Sequence, residues 1–355
     1  MPPARSPESP APSGRVTLRQ IARAARVSVM AVSYALRDRP EVSPAERARI
    51  RALAERLGYR PDPLLTHLMQ HLRSHRRIKS TANLAVLTTL DAPFVRRLID
   101  GANTRAEKLG YHLDRVEVRP SLHNSRSLTR TLEARGVAGV LLAPVSDPVS
   151  YSGLLDWNRF AAVAMTYSLV EPHVHRVVTH HFDNAIKALG LLQKQGFRRI
   201  GLAMTSDMEF RANHSYTAAY YRMTGMSGER PLPLLMLDAP NTREIRRWFD
   251  KHRPDVVLAA NAHQVTRLLA PALPATTRAR TAFVCLDHEA AHRVSGIDQL
   301  FETVGSHALD ALVAQLHRNE RGLPTKPTVT MVEGQWFDTC GFHPFASPRK
   351  PKRRD

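Results

Sequence analysis

The stretch from Arg15 to Pro61 constrains the fold more than any other part of this 355-residue chain, because it carries three helix-start signals at short intervals. Thr17-Leu18-Arg19-Gln20 has the form of a capping box, in which a hydroxyl and a Gln three residues on each cover an unpaired backbone N–H. Leu18, Ile21, Ala22 and Ala25 then recur at the spacing of one helical face. After a three-residue break Ser28 can cap a second helix, with Val32 and Leu36 turned inward. Arg37-Asp38-Arg39-Pro40 ends it, since proline disfavours helix in the residue before it. Ser43-Pro44-Ala45-Glu46 opens a third helix that carries Ile50, Leu53, Ala54 and Leu57 and closes at Gly58. Three short helices, the first two joined by a tight turn, predict an all-α helix-turn-helix unit over residues 15–60.

Charge sharpens that reading. Residues 1–80 hold 16 Lys and Arg against 6 Asp and Glu, so about half of the net charge of +19 sits there. An excess of this size is the footprint of a polyanion binder, whereas a merely solvated surface mixes the two signs. Residues 1–14, rich in Pro and Ser, read as a disordered arm with no apolar signal-peptide core, and residues 346–355 as a basic tail. Two cysteines, Cys285 and Cys340, form neither a disulfide framework nor a metal-ligand spacing, which fits a reducing cytoplasm. Asp62-Pro63 restarts a helix carrying Leu64, Leu65, Leu68, Met69 and Leu72, followed by a basic linker through Lys79.

From Asn83 the texture changes to alternating strands and helices. Leu84–Leu87, Leu113–Val118, Val137–Leu142 and Ala161–Met165 read as strands, with helices over Phe94–Leu109 and Leu128–Ala134 between them. The pattern restarts after Phe182–Gln195 with strands at Ile200–Ala203, Leu234–Leu237, Val256–Leu258 and Ala282–Leu286. Helices at Asn213–Arg222, Thr242–His252 and His263–Leu269 alternate with these. Such β-α order predicts parallel sheets covered on both faces.

The runs VTLRQIARAARVSVMAVSYAL, RPEVSPAERARI and LGYRPDPLLTHL together resemble the DNA-binding headpiece and hinge of the lactose-repressor (LacI/GalR) family. The resemblance implies that headpiece on a two-lobed α/β core of the periplasmic-binding-protein type. It puts a hinge helix and linker at 61–81 and the core at 82–345. Lobe 1 would take about 82–179 and 300–325, with Thr303–His317 as a returning helix. Lobe 2 would take 180–299 and 326–345, with Val329–Val332 crossing back to it. The partners implied are a palindromic double-stranded DNA operator, a second copy of the chain, and a small-molecule effector, with a carbohydrate as first candidate. The function implied is a sequence-specific transcription regulator of the repressor kind. A solute-binding protein or an enzyme on the same fold is the alternative.

Site residues follow by correspondence. Family members read bases from the residues matching Val29, Met30 and Tyr34, with Thr17, Ser28 and Ser33 beside them and Leu68 as a minor-groove wedge. Arg26 stands where the family has a turn glycine. In the cleft, Asp287 ends a strand as the family's ligand-binding aspartate does, Asn261 ends another, and Gln299 lies near a lobe crossover. The family's cleft arginine matches Tyr216, its first-lobe aspartate falls near Thr166, and Arg211 could reach in from the preceding loop. A pyranose grip is therefore incomplete. No phosphate-cradling glycine run and no nucleophile elbow occurs, so no catalytic residue or cofactor is expected. The spacing of His173, His175, His180, His181 and Asp183 fits no standard metal site.

Overall fold

The computed structural model describes residues 18–36, 41–57, 83–118, 125–145, 149–226, 228, 230–239, 241–339 and 341–342, and the chain divides into two units, Met1–Lys79 and Ser80–Asp355. In the first unit the start signals become helices α1 (Leu18–Ala25), α2 (Val29–Leu36) and α3 (Pro44–Arg56). Ser28 Oγ accepts the Ala31 N–H at 3.0 Å and Ser43 Oγ the Glu46 N–H at 3.3 Å, each cap worth about 1 kcal/mol. Ile21, Val32, Ala35 and Ile50 lose all solvent contact in a small core shared by the three helices. Leu36 only packs on its edge, and Leu57, placed inward from sequence, is 38% exposed. Leu57 is the C-cap of α3, one residue past the end of the helix and three past Ala54, its last buried position. Thr17, the 37–40 turn, Gly58, the hinge helix with Leu68, the arm, the tail and Cys340 lie outside the described residues.

The second unit is two six-stranded sheets. The first has the order β13-β7-β5-β3-β1-β2, from β1 (Asn83–Thr88), β2 (His112–Glu117), β3 (Val137–Leu142), β5 (Ala161–Ala164), β7 (His175–Thr179) and β13 (Val329–Val332), all parallel. The second has the order β14-β12-β11-β10-β8-β9, from β8 (Ile200–Met204), β9 (Leu235–Met236), β10 (Val256–Ala259), β11 (Ala282–Cys285), β12 (Gly296–Asp298) and β14 (Gln335–Phe337). Among the described strands only the β12–β14 pair is antiparallel. A two-residue β4 (Val149–Ser150) pairs with β6 (Leu169–Glu171) apart from both sheets. Strands such as Leu84–Leu87 are apolar without alternation because both faces of each sheet are covered.

Val329–Val332 corrects the sequence reading. The resemblance puts it in the second lobe, yet it pairs with β7 at the edge of the first sheet, and the crossing comes only after Val332. A strand of four residues takes whichever free edge the chain reaches first, and nothing local in Val-Thr-Met-Val encodes that edge. His263–Leu269, read as an ordinary helix, is π-helical over Gln264–Leu269.

Helices α4 (Pro93–Lys108), α5 (Ser125–Ala134), α6 (His181–Lys194), α7 (Ser206–Arg211), α8 (Ser215–Met226) and α9 (Thr242–His252) cover the sheets. Short α10 (Ala270–Ala272) and α11 (Ala275–Arg280) follow, and α12 (Phe301–Arg318) returns to lie on α4 against the first sheet. The contact of α12 with α4 is as close as backbones allow. A Cβ on Gly305 would stand 1.9 Å from the Leu98 carbonyl oxygen, and one on Gly101 2.0 Å from that of Glu302. The lobe crossovers are tied by one buried side chain, Asn184. Its Nδ2 donates to Gln299 Oε1 at 2.9 Å, and its Oδ1 accepts the Gly334 N–H at 2.8 Å. Arg97 on α4 adds a fork to both Glu302 oxygens and a 3.0 Å bond to Asp298 at the end of β12.

Candidate nucleic-acid interface and interlobe cavity

The first candidate site is one face of the headpiece. Helix α2 buries Val32 and Ala35 and turns Val29 and Met30 outward, 42% and 63% exposed, with Ser33 and Tyr34 half-buried beside them. Large apolar side chains at the start of an eight-residue helix are costly to leave in water. Met30 and Tyr34 lie one helical turn apart, as do Val29 and Ser33, so the four make one patch. The structure thus brings Ser28, Val29, Met30, Ser33 and Tyr34 together.

The turn before this helix is held by Arg26 at φ +56°. The Val27 N–H donates to the Ala22 carbonyl and the Arg26 N–H to the Arg23 carbonyl, the paired bonds of a Schellman cap. Such a cap favours glycine, since a side chain in the left-handed region costs roughly 1–2 kcal/mol. Arg26→Gly is therefore expected to stabilise the headpiece by about 1 kcal/mol, glycine's freer unfolded state offsetting part of the gain. It removes an exposed cation from the turn, so nonspecific DNA affinity should fall as stability rises. Chemical denaturation of the isolated headpiece and a salt titration of DNA binding check the two halves.

The second candidate site lies between the lobes of the second unit. A cavity of about 70 Å³ is lined by Phe94, Met165, Thr166, Tyr167, His181, Met208, Arg211, Tyr216, Asp287, Gln299 and Phe301, among others. Five of the six sequence-derived cleft residues meet there. Asn261 does not: its Oδ1 accepts the Gln264 N–H at 2.9 Å, so it caps the π-helical segment after β10. A strand-end Asn serves a ligand or the next helix equally well by sequence, and here the free N–H claims it. Arg211 enters from the last residue of α7 rather than from a loop.

Most polar groups around the cavity are already engaged. The Tyr216 hydroxyl shares a 2.8 Å bond with His181 Nδ1 and accepts from Gln299 Nε2 at 3.2 Å. Gln299 also donates to the Leu286 carbonyl, and its Oε1 is held by Asn184. Thr166 Oγ1 bonds the Ser168 hydroxyl at 2.7 Å and accepts the Ser168 N–H at 2.8 Å. Arg211 is paired with Asp207, and its guanidinium lies 5.6 Å over the Phe94 ring. Phe94 and Phe301 themselves pack with centroids 5.6 Å apart.

Asp287 is the exception. It is 9% exposed, and its Oδ1 is buried with no hydrogen-bond partner. Burial, helped by the charges of Glu289, Asp298 and Glu302 and opposed by Arg97, pushes its carboxyl up to about 8. Burial likewise holds His181 down to about 4, so the imidazole is neutral at pH 7, and raises the Tyr216 phenol well above its usual range. Phe94, Phe301, Tyr167, His181 and Met208 are cavity residues that the sequence reading missed as such. The remaining histidines of the candidate metal group disperse: His180 Nδ1 accepts the Asp183 N–H, and His175 bonds Thr328. Among the described residues no three His, Cys, Asp or Glu side chains converge as metal ligands.

Residues 17–62 match the family described as bacterial regulatory proteins, lacI family. The chain is 25% identical over 188 residues to the HTH-type transcriptional repressor CytR of Escherichia coli (strain K12), covering 52% of each chain. It is 35% identical over 203 residues to an HTH-type transcriptional regulator of Mycobacterium tuberculosis, covering 55% of this chain and 54% of that one. The matched region thus spans about half the length of these curated relatives. Among solved structures, a lac repressor dimer bound to operator and the anti-inducer ONPF superposes with a TM-score of 0.56 at 17% identity, covering 94% of this chain and 100% of that one. Residues 17–62 thus carry the sequence pattern of the lacI family of bacterial regulatory proteins, and the rest of the chain shares the fold of the lac repressor core.

Proposed function

We propose that the chain is a sequence-specific, DNA-binding transcription regulator, a repressor in kind, that works as a cytoplasmic homodimer on a palindromic operator. The observation that carries the reading is the exposed apolar face of α2 on a strongly basic headpiece: Val29 and Met30 stand out from a capped helix start. In a helix-turn-helix the second helix enters the major groove with its N-terminal residues on base edges. A small molecule in the interlobe cavity is the effector in this reading, acting by preferring one lobe arrangement to the other. The relatives that the chain resembles are named as regulators, and no catalytic activity is part of the proposal. Among the described residues no helix is long and apolar enough to cross a membrane.

The side chains also forecast the operator. Val29 and Met30 offer methyl groups that suit thymine better than a guanine edge, and Tyr34 can give one hydrogen bond where an arginine would give two. The selected half-site should therefore lean on thymine contacts, with phosphate contacts supplying much of the affinity and a steep salt dependence. Selection from random DNA tests this, followed by Tyr34→Arg, which is expected to add a preference for guanine worth about 1–3 kcal/mol at one position. A wild-type half-site anchored on guanine and unmoved by the substitution would overturn the readout.

A further inference from the structure

The cavity between the lobes carries a statement about its ligand. Most of its polar side chains are engaged within the protein: Thr166 with Ser168, Tyr216 with His181 and Gln299, and Arg211 with Asp207. A sugar or other polyol needs several free partners, and burying its unmatched hydroxyls is costly. Among the described residues lining the cavity, one buried polar atom is left without a partner, Oδ1 of Asp287. Around it stand aromatic rings and a surplus of negative charge.

That surplus comes from three of the elements packed near the carboxyl. Glu289 follows Asp287 in the same loop, Asp298 ends β12 and Glu302 opens α12; Arg97 on α4 is the cation among them and is already bonded to Asp298 and Glu302. From α7, Arg211 is matched by Asp207; from α6 and α8 come a neutral His181 and a neutral Tyr216. The rings can also face a cation, since the guanidinium of Arg97 lies 5.4 Å over Phe301 and that of Arg211 5.6 Å over Phe94.

We propose that the effector is a compact primary amine with an apolar body, its ammonium group on Asp287 and its body against the rings of Phe94, Phe301 and Tyr167. This rests on the reading of the cavity as the effector site and names the chemistry of what enters it. The cavity volume of about 70 Å³ favours a small body, or one that parts the lobes a little further. Binding converts a neutral carboxyl and a cationic amine into an ion pair, and the carboxyl proton passes to solvent. Affinity should therefore rise with pH up to about 8, where the carboxyl is already ionised, and then level off until the amine itself deprotonates.

The test titrates the full chain with matched pairs, isobutylamine against isobutanol and benzylamine against benzyl alcohol, with glucose and ribose as polyol probes. Calorimetry in buffers of different ionisation enthalpy reads proton release. Each amine is expected to bind at least tenfold more tightly than its alcohol, releasing nearly one proton at pH 7 and far less at pH 9. Asp287→Asn should remove that tenfold preference while leaving the unliganded melting temperature unchanged or higher, because it replaces a carboxyl that burial disfavours. Equal affinity for amine and alcohol, no amine binding, or a sugar that binds more tightly than either amine would each overturn the proposal. Affinity for the selected operator is measured alongside. An amine that binds with these signatures yet leaves operator affinity unmoved would uphold the ligand class and overturn the effector role; a sugar that moves operator affinity would do the reverse.

Discussion

A chain shortened to residues 80–355 is expected to unfold with the same transition as the second unit of the full protein and to lose specific DNA binding altogether. The headpiece is self-sufficient in its packing: Ile21, Val32 and Ile50 find their apolar contacts within the three helices. The division of the chain also falls between Lys79 and Ser80. Removing residues 1–79 takes away the exposed patch of α2 and 16 of the 51 Lys and Arg residues. Specific binding typically exceeds nonspecific binding by 10³–10⁷-fold, so a loss of roughly 10³-fold or more is the scale to look for. What weak binding survives should be indifferent to sequence. Fluorescence anisotropy with the selected operator and with scrambled DNA, over a range of salt, gives both numbers. Operator affinity retained by the shortened chain would remove the headpiece, and with it Val29, Met30 and Tyr34, from the binding site.

What the sequence disclosed, and what it concealed, divides along the range of the interactions involved. The headpiece was legible because its signals are local: Ser28 and Ser43 cap the helices that follow them, and both bonds form within three residues. Thr242–His252 was legible for the same reason, with Asn241 capping it. The α/β class followed from strands that are apolar on both faces. The edge on which Val329–Val332 settled depends on where the chain crosses between lobes, so no local pattern could carry it. Strands β7 and β12 escaped notice because His175, Arg176 and Asp298 interrupt their apolar texture.

The cavity divides in the same way. Asp287 and Gln299 stand at strand ends, where a correspondence with known cores can find them, and both line the cavity. Asn261 stood in the same kind of place and serves a helix instead. Phe94 falls in the first turn of a helix that the sequence shows, whereas Phe301 opens α12 two residues before the helix read from sequence at Thr303. Only the crossing of α4 and α12 turns them into one wall.

That crossing is also where a single methyl group should do most harm. Gly305→Ala puts a Cβ 1.9 Å from the Leu98 carbonyl oxygen, and the next nearest atoms are again backbone, at 2.9 and 3.0 Å. No side chain can rotate away, so the helices must separate. The cost should reach about 3 kcal/mol, the upper end for an overpacked core. In a unit of this size that lowers the melting temperature by roughly 5–10 °C. The damage should be directional as well. Moving α12 from α4 draws Glu302 away from Arg97 and Phe301 away from Phe94, so the wall of the cavity opens and ligand affinity falls with stability. Gly190→Ala is the control. It too sits inside a helix, but the nearest atom to its Cβ would be the mobile Cε of Met223, at 3.8 Å. There the better helix propensity of alanine should stabilise by about 0.5–1 kcal/mol, with the cavity untouched. Thermal melts of the two variants, run with and without ligand, separate the two cases. Equal behaviour would mean that α4 and α12 do not cross at backbone contact, and the wall they form would have to be redrawn.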